Sequence, residues 1–330
     1  MVTDDPKNSW QTNASLDVLR LRASVFESIR EFFKQREVLE VDTPVLSAAT
    51  TPDPNIQSFE TRYVSVAGES PLERKYLSTS PEFHMKRMLA SGSGSIYQLC
   101  HVFRQSEFGK QHNPEFTLLE WYRVGFEYQM LMQEVAELVE MFVQRSVDTE
   151  TISYQAAFLR YLDIDPLSAS LNELQRCATD FGLAGTEQNA NDKDFYLDFL
   201  MSHQVQPQLE KNKFTFIIEY PASQCALARL SPDNNKVAER FELYFQGVEL
   251  ANGYHELTDA KEQQKRFEQQ NQKRLQDGIE PVQWDQLLVQ ALQAGMPACS
   301  GVALGVDRLI QLILEAKNLG DVLAFPFNHA

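Results

Sequence analysis

A chain of 330 residues is long enough for one large domain or two ordinary ones, and its 43% hydrophobic content supplies a substantial core without covalent staples. Its 46 acidic against 30 basic side chains give a formal charge of -16, which speaks against broad phosphate-backbone binding, because that binding depends on Lys and Arg neutralising phosphates. The four cysteines, Cys100, Cys177, Cys225 and Cys299, form no CxxC pair or zinc spacing, residues 1–10 lack a signal-peptide core, and no run is long and apolar enough to span a membrane; a soluble protein of the reducing cytoplasm is expected.

In chain order, a helix is predicted from Ser15, its cap, to about Glu37, with Val18, Leu21, Val25, Ile29, Phe32 and Phe33 at helical spacing. Residues 38–46, with Pro44, read as an edge strand or a strand end at an interface. Residues 97–104 and 116–122 alternate as strands around a polar loop holding Gly109, His112, Asn113 and Pro114, a loop long enough to suggest ligand contacts. A helix follows over 128–145. Residues 153–212, with Pro166, Gly182, Gly185 and Pro207, read as a helical insertion. Strands return at 214–220, 241–245 and 248–251, the last two flanking Gln246-Gly247. Residues 259–277 read as a solvated helix, and 301–305 as a short strand feeding a helix over 306–316. Few βαβ alternations favour an α+β domain around an antiparallel sheet, here taken as a single domain over 1–330. With no GxxxxGK[ST] and no GxGxxG after a strand, any nucleotide site is of another kind.

Three groupings carry candidate chemistry. Alternation puts Phe116, Leu118, Glu120 and Tyr122 on one strand face, readable either as a half-buried core strand or as a surface that stacks a ring and receives an ammonium group. A turn at Gln246-Gly247 pairs Phe245 with Val248 and Tyr244 with Glu249, so Glu242 and Glu249 share a face. Two such acids either face solvent or hold a hard cation. A bulge at Gly253 would bring Glu256 onto the same face; otherwise it points away. Arg308 follows Gly305 in the first turn of a helix, suited to a phosphate group or to a structural salt bridge.

The segment FRQSEFGKQHNPEFTLLEWY resembles motif 2 of the class II aminoacyl-tRNA synthetases, GVALGVDRLIQLIL resembles motif 3, and the helix through VDTPVL resembles motif 1. HNPEFT, SPEFHMKR and ELANGYHELTD resemble the lysyl-tRNA synthetase branch, and the similarity spans nearly the whole chain. The resemblance implies a class II antiparallel sheet flanked by helices, ATP as co-substrate, magnesium, and a homodimer. It implies that Arg104 holds the α-phosphate and Arg308 the γ-phosphate, that His112 and Asn113 line the nucleotide, and that Phe116 stacks on adenine. Gln105, Ser106, Glu107, Leu250 and Gly305 join that nucleotide set. Glu242 and Glu249 are the implied magnesium ligands. Glu82, with Ser80 and Pro81, is implied for the amine near the reacting carboxylate, and Glu120, Tyr122 and Glu256 for a distal ammonium. One departure stands out: the family has Phe-Arg-Asn-Glu in motif 2, whereas Gln105 and Ser106 follow Arg104 here, so the glutamate that reads the adenine edge is absent unless Glu107 or a main-chain group replaces it.

Only 14 residues precede the first helix, so no anticodon-binding domain is expected. YQAAFLRYL, VAERFELY and MPACSGVALGVDR resemble the elongation factor P-(R)-β-lysine ligases, paralogues of lysyl-tRNA synthetase. That resemblance implies AMP-forming activation of (R)-β-lysine and its transfer to a lysine of elongation factor P rather than to tRNA. Ala303 stands where lysyl-tRNA synthetases usually carry glycine, and its methyl is expected to favour the β-amino isomer. A truncated lysyl-tRNA synthetase-like enzyme charging tRNA, and a non-catalytic lysine-binding paralogue, are the alternative readings.

Overall fold

A computed structural model describes residues 10–63, 73–143, 145–183 and 191–330; residues 1–9 of the N-terminal stretch and Gly185, used above, lie outside them. In chain order the elements are α1 (Leu16–Lys34), β1 (Leu39–Glu40), β2 (Leu46–Ser47), β3 (Glu60–Tyr63), β4 (Glu73–Leu77), α2 (Glu82–Ala90), β5 (Ile96–Phe103), β6 (Glu115–Val124), α3 (Tyr128–Val143) and β7 (Thr149–Ser153). They continue as α4 (Tyr154–Leu162), α5 (Leu171–Asp180), α6 (Lys193–Leu200), β8 (Phe214–Pro221), β9 (Val237–Phe245), β10 (Val248–His255), α7 (Ala260–Gln276), α8 (Gln286–Gly295), β11 (Cys299–Gly305) and α9 (Val306–Ile313).

Among the described residues one sheet has eight strands in the order β1-β5-β6-β11-β10-β9-β8-β7, and a small one has the order β2-β4-β3. The large sheet is mixed rather than antiparallel throughout, because β1 pairs parallel to β5 and β7 parallel to β8. The expected edge strand over 38–46 is two two-residue strands, each at the edge of a different sheet and separated by Pro44, which offers no N–H to a ladder. No helix among the described residues is long and apolar enough to cross a membrane.

The chain divides into two compact units: residues 1–121, 260–296 and 304–330, and residues 122–259 and 297–303. In the first, Ser15 caps α1 by accepting from Val18 N, and the helix buries Val25, Ile29, Phe32 and Phe33. Phe33 stacks on Tyr97 at 4.3 Å and meets Trp121 edge-on at 5.4 Å, so α1 is anchored on β5 and β6 by aromatic burial worth about 1.5–3 kcal/mol per ring. Helix α7 is not solvated all round: Phe267 is fully buried against Phe83 and Trp284, and Gln263, Arg266 and Arg274 are covered as well. Its charged residues include long stems that cover apolar surface while their heads find partners.

In the second unit, segment 153–212 supplies α4, α5 and α6, with Ser170 and Glu173 forming a capping box on α5. These helices share one core in which Tyr154, Phe158, Leu174, Leu197 and Leu200 pack with Ile217, Tyr220 and Tyr244 of β8 and β9. The insertion therefore buttresses two sheet tyrosines.

Candidate functional site

In the first unit, Arg104 leaves β5 with its guanidinium 5.1 Å above the Phe116 ring and its Nε donating to Thr79 O at 3.2 Å. Ser106 adopts φ +65°, a left-handed conformation uncommon outside glycine, and the turn brings Glu107 Oε1 to 3.6 Å from Arg104 Nη1. The acid that follows the altered Gln105-Ser106 pair thus faces the arginine. Gln105 is held by its backbone, which donates to Gln57 O. Arg308, in the first turn of α9 after the Gly305 cap, donates through Nε to Gln111 O and contacts His112 Nε2 through Nη2 at 2.8 Å. An arginine can only donate, so His112 Nε2 is the acceptor, and burial, then Arg308, pushes the imidazole below its usual value; it is neutral near pH 7. Asn113 is 6% exposed and works within the scaffold: Nδ2 donates to Glu115 O and Oδ1 accepts from Phe327 N.

Asp307, beside Arg308, is buried and accepts from Arg22 Nη1 at 2.5 Å and from Thr117 N at 2.8 Å, while Arg22 Nη2 donates to Thr117 Oγ1. This clasp joins α1, β6 and α9. In the same unit Ser80 Oγ donates to Glu120 Oε2 at 2.7 Å and accepts from Glu82 N; Pro81 is the buried residue that starts α2. Glu82 Oε1 accepts from Lys86 Nζ at 2.5 Å, one helical turn on, and the Lys86 side chain is 2% exposed. Lys86 was missed from sequence, although its i,i+4 spacing from Glu82 is the signal that marks it.

In the second unit the hairpin register pairs Val248 with Phe245 and Glu249 with Tyr244, as the Gln246-Gly247 turn predicts. The bulge, however, lies between Glu249 and Ala251, at Leu250, and not at Gly253. Gly253 is needed for another reason: a Cβ there would lie 2.4 Å from the Phe241 ring. With Leu250 displaced, Asn252 faces Glu242 and Tyr254 faces Arg240, so the alternation puts Glu256 on the face of Glu242. Glu256 and Tyr122 close around Gly301, where an added Cβ would sit 2.4 Å from both Glu256 Oε1 and the Tyr122 ring. Ala303, two residues along β11, shares the strand face of Gly301.

Glu242 is 7% exposed and surrounded by donors. Arg240 Nη2 and Asn252 Nδ2 reach Oε1 at 2.5 and 3.1 Å, and the hydroxyls of Tyr220 and Tyr244 reach Oε2 at 2.6 and 2.5 Å. Burial works against the charge of Arg240, but Glu242 foremost, and Glu249 in part, raise it above the ordinary arginine value. Of the two readings open for this pair, solvent-facing acids or a hard-cation site, Glu242 does not face solvent, and Arg240 already supplies it with a counter-charge. Magnesium, which the motif resemblance implies, therefore fits these residues only in part: a carboxylate has about four acceptor positions and those of Glu242 are taken.

Residues 8–329 match the family described as tRNA synthetases class II (D, K and N). The chain belongs to the class II tRNA synthetases. Within this family it is 50% identical over 322 residues, 98% of each chain, to the elongation factor P-(R)-β-lysine ligase of Salmonella typhi. The mixed sheet flanked by helices is the class II synthetase catalytic fold. Family membership makes the chain an ATP-dependent ligase, and Arg104 and Arg308 stand in the two segments that resemble motifs 2 and 3.

Proposed function

We propose that this chain activates (R)-β-lysine with ATP and transfers it to a lysine side chain of elongation factor P, in the reducing cytoplasm and as a homodimer. The 50% identity to a ligase of that name, across 98% of both chains, carries the reading. In the first step a carboxylate oxygen of the amino acid attacks the α-phosphorus and pyrophosphate leaves. In the second, the deprotonated ε-amine of the acceptor attacks the carbonyl, AMP leaves, and an amide remains.

Arg104 stabilises charge at the α-phosphate and Arg308 holds the γ-phosphate, with neutral His112 orienting Arg308 without adding charge. Adenine stacks on Phe116 once Arg104 turns from that ring to the phosphate. The main chain of residues 105–107 and of Leu250, with Gly305 at the start of α9, completes the nucleotide side. Ser80, Pro81 and Glu82 receive the β-amine; Glu120, Tyr122 and Glu256 receive the distal ammonium, and Ala303 biases the pocket toward the β-isomer. Magnesium would accompany ATP, held by Glu249 and, in part, by Glu242, and would offset the negative charge of the phosphates. Exposed Leu16, Leu39, Val45 and Leu46 of the motif 1 region give the dimer an apolar surface to cover.

ATP–pyrophosphate exchange, run separately with (R)-β-lysine and α-lysine and followed by transfer to elongation factor P or tRNA, tests the reading. Exchange that prefers β-lysine, with label moving to elongation factor P, is expected. Transfer to tRNA alone would overturn it in favour of a truncated synthetase. The contact of Glu107 with Arg104 favours one second reading, a lysine binder without chemistry, and exchange with neither amino acid would establish that instead.

A further inference from the structure

Apart from these groups, the second unit brings three ligand-type side chains together from three elements. Glu127 immediately precedes α3, Glu239 lies on β9, and His255 ends β10. His255 Nδ1 is 3.1 Å from Glu127 Oε2 and 3.8 Å from Glu239 Oε2, and the ligating atoms of all three lie within 4.8 Å of one another. Ligands about 2.1 Å from a metal stand roughly 3.0–3.4 Å apart at octahedral and tetrahedral angles, so only a small closure is needed.

The histidine nitrogen is the decisive atom. His255 is 2% exposed, and its buried Nδ1 makes no hydrogen bond of good geometry among the described residues, although Glu127 Oε2 stands 3.1 Å away. The ring points this nitrogen at two carboxylates, Glu127 at 3.1 Å and Glu239 at 3.8 Å. Arg229 answers the acids and not the nitrogen: its Nε donates to Glu239 Oε2 at 2.5 Å and its Nη2 to Glu127 Oε2 at 3.3 Å. Carboxylates that bind metals commonly receive such outer hydrogen bonds. The backbone is pinned too, since Arg229 N donates to His255 O and Glu239 N donates to Arg229 O. Glu127, 60% exposed, leaves one side open for entry and for water ligands.

We propose that Glu127, Glu239 and His255 form a site for a divalent transition-metal ion, zinc being the best match, distinct from the Glu242–Glu249 pair. One imidazole with two carboxylates suits zinc better than magnesium or calcium, which favour all-oxygen shells. The ion ties the end of β10, where Tyr254 and Glu256 flank His255 in sequence, to β9 and to the start of α3.

Zinc uptake by the full chain, followed by equilibrium dialysis and elemental analysis at neutral pH without ATP or amino acid, tests the site. The wild type is expected to hold one zinc that Glu127→Gln and His255→Gln lose or bind at least about tenfold more weakly. Glu127 is exposed, so Glu127→Gln should melt like the wild type without metal, separating lost binding from lost folding. Glu242→Gln should keep the zinc. Absence of zinc from the wild type, equal uptake by Glu127→Gln, or loss in Glu242→Gln but not in Glu127→Gln would each overturn the site. Neither substrate is present, so such a failure leaves the ligase reading standing.

Discussion

At the scale of single residues, Gly301 marks a place where the backbone itself forms the wall between Tyr122 and Glu256. A methyl there would come within 2.4 Å of both and force one of them aside, an overpacking cost of about 1–3 kcal/mol. Gly301→Ala is therefore expected to raise the KM for the amino acid in ATP–pyrophosphate exchange by at least about tenfold, with the KM for ATP little changed; an unchanged amino-acid KM would show that this wall does not bound the substrate. Asp198 on α6 gives a second, pH-dependent expectation. Its outer edge reaches solvent, yet burial, with Asp194, Glu242 and Asp192 nearby and against the pull of Arg240, raises its carboxyl from 3.8 to about 7. The folded chain then keeps a proton that the unfolded chain releases, so this group's contribution to stability declines as pH rises from about 4 to about 7 and is flat above. Asp198→Asn keeps an acceptor for Gln224 Nε2 and should melt increasingly above the wild type across that window. Parallel melting curves from pH 4 to 8 would exclude the effect.

At the scale of elements, the Arg22–Asp307–Thr117 clasp explains why a helix near the N-terminus bears on the arginine of α9. Asp307→Ala would leave the Arg22 side chain, only 15% exposed, without its counter-charge, and is expected to cost about 3–5 kcal/mol in urea unfolding. A loss below 1 kcal/mol would mean that solvent replaces the pair without penalty. The long amphipathic helices were legible from sequence because their period is local: α1 shows its buried stripe at 3- and 4-residue spacing, and Ser15 caps it as predicted. Strands β1 and β2, two residues each, carry too few residues for a period, and among the described residues β3 and β4 meet only each other and β2, so pairing rather than pattern defines them. The bulge at Leu250 was illegible for the same reason. Nothing in Glu249-Leu250-Ala251 marks it, whereas Gly253 looked like a bulge and is instead a close approach to Phe241.

At the scale of the whole molecule, the charge of -16 bears on partners. Without a large excess of Lys and Arg to release counterions, the chain is expected to leave bulk tRNA unshifted in native gels at about 0.15 M salt, while a shift lost at higher salt would reveal a local basic surface. Three motif segments in order, and the spacing of Arg104, Glu242, Glu249 and Arg308, were enough in sequence to reach the class II synthetase family, because each motif is a short run whose chemistry needs particular residues at adjacent positions. What only the tertiary structure decided is what surrounds them. Arg240, Tyr220, Tyr244 and Asn252 converge on Glu242 from three strands, Lys86 covers Glu82, and Glu127, Glu239 and His255 meet from three elements. Hydrogen bonds and countercharges depend on distances of a few ångströms, and for residues up to 128 positions apart only the folded chain sets those distances.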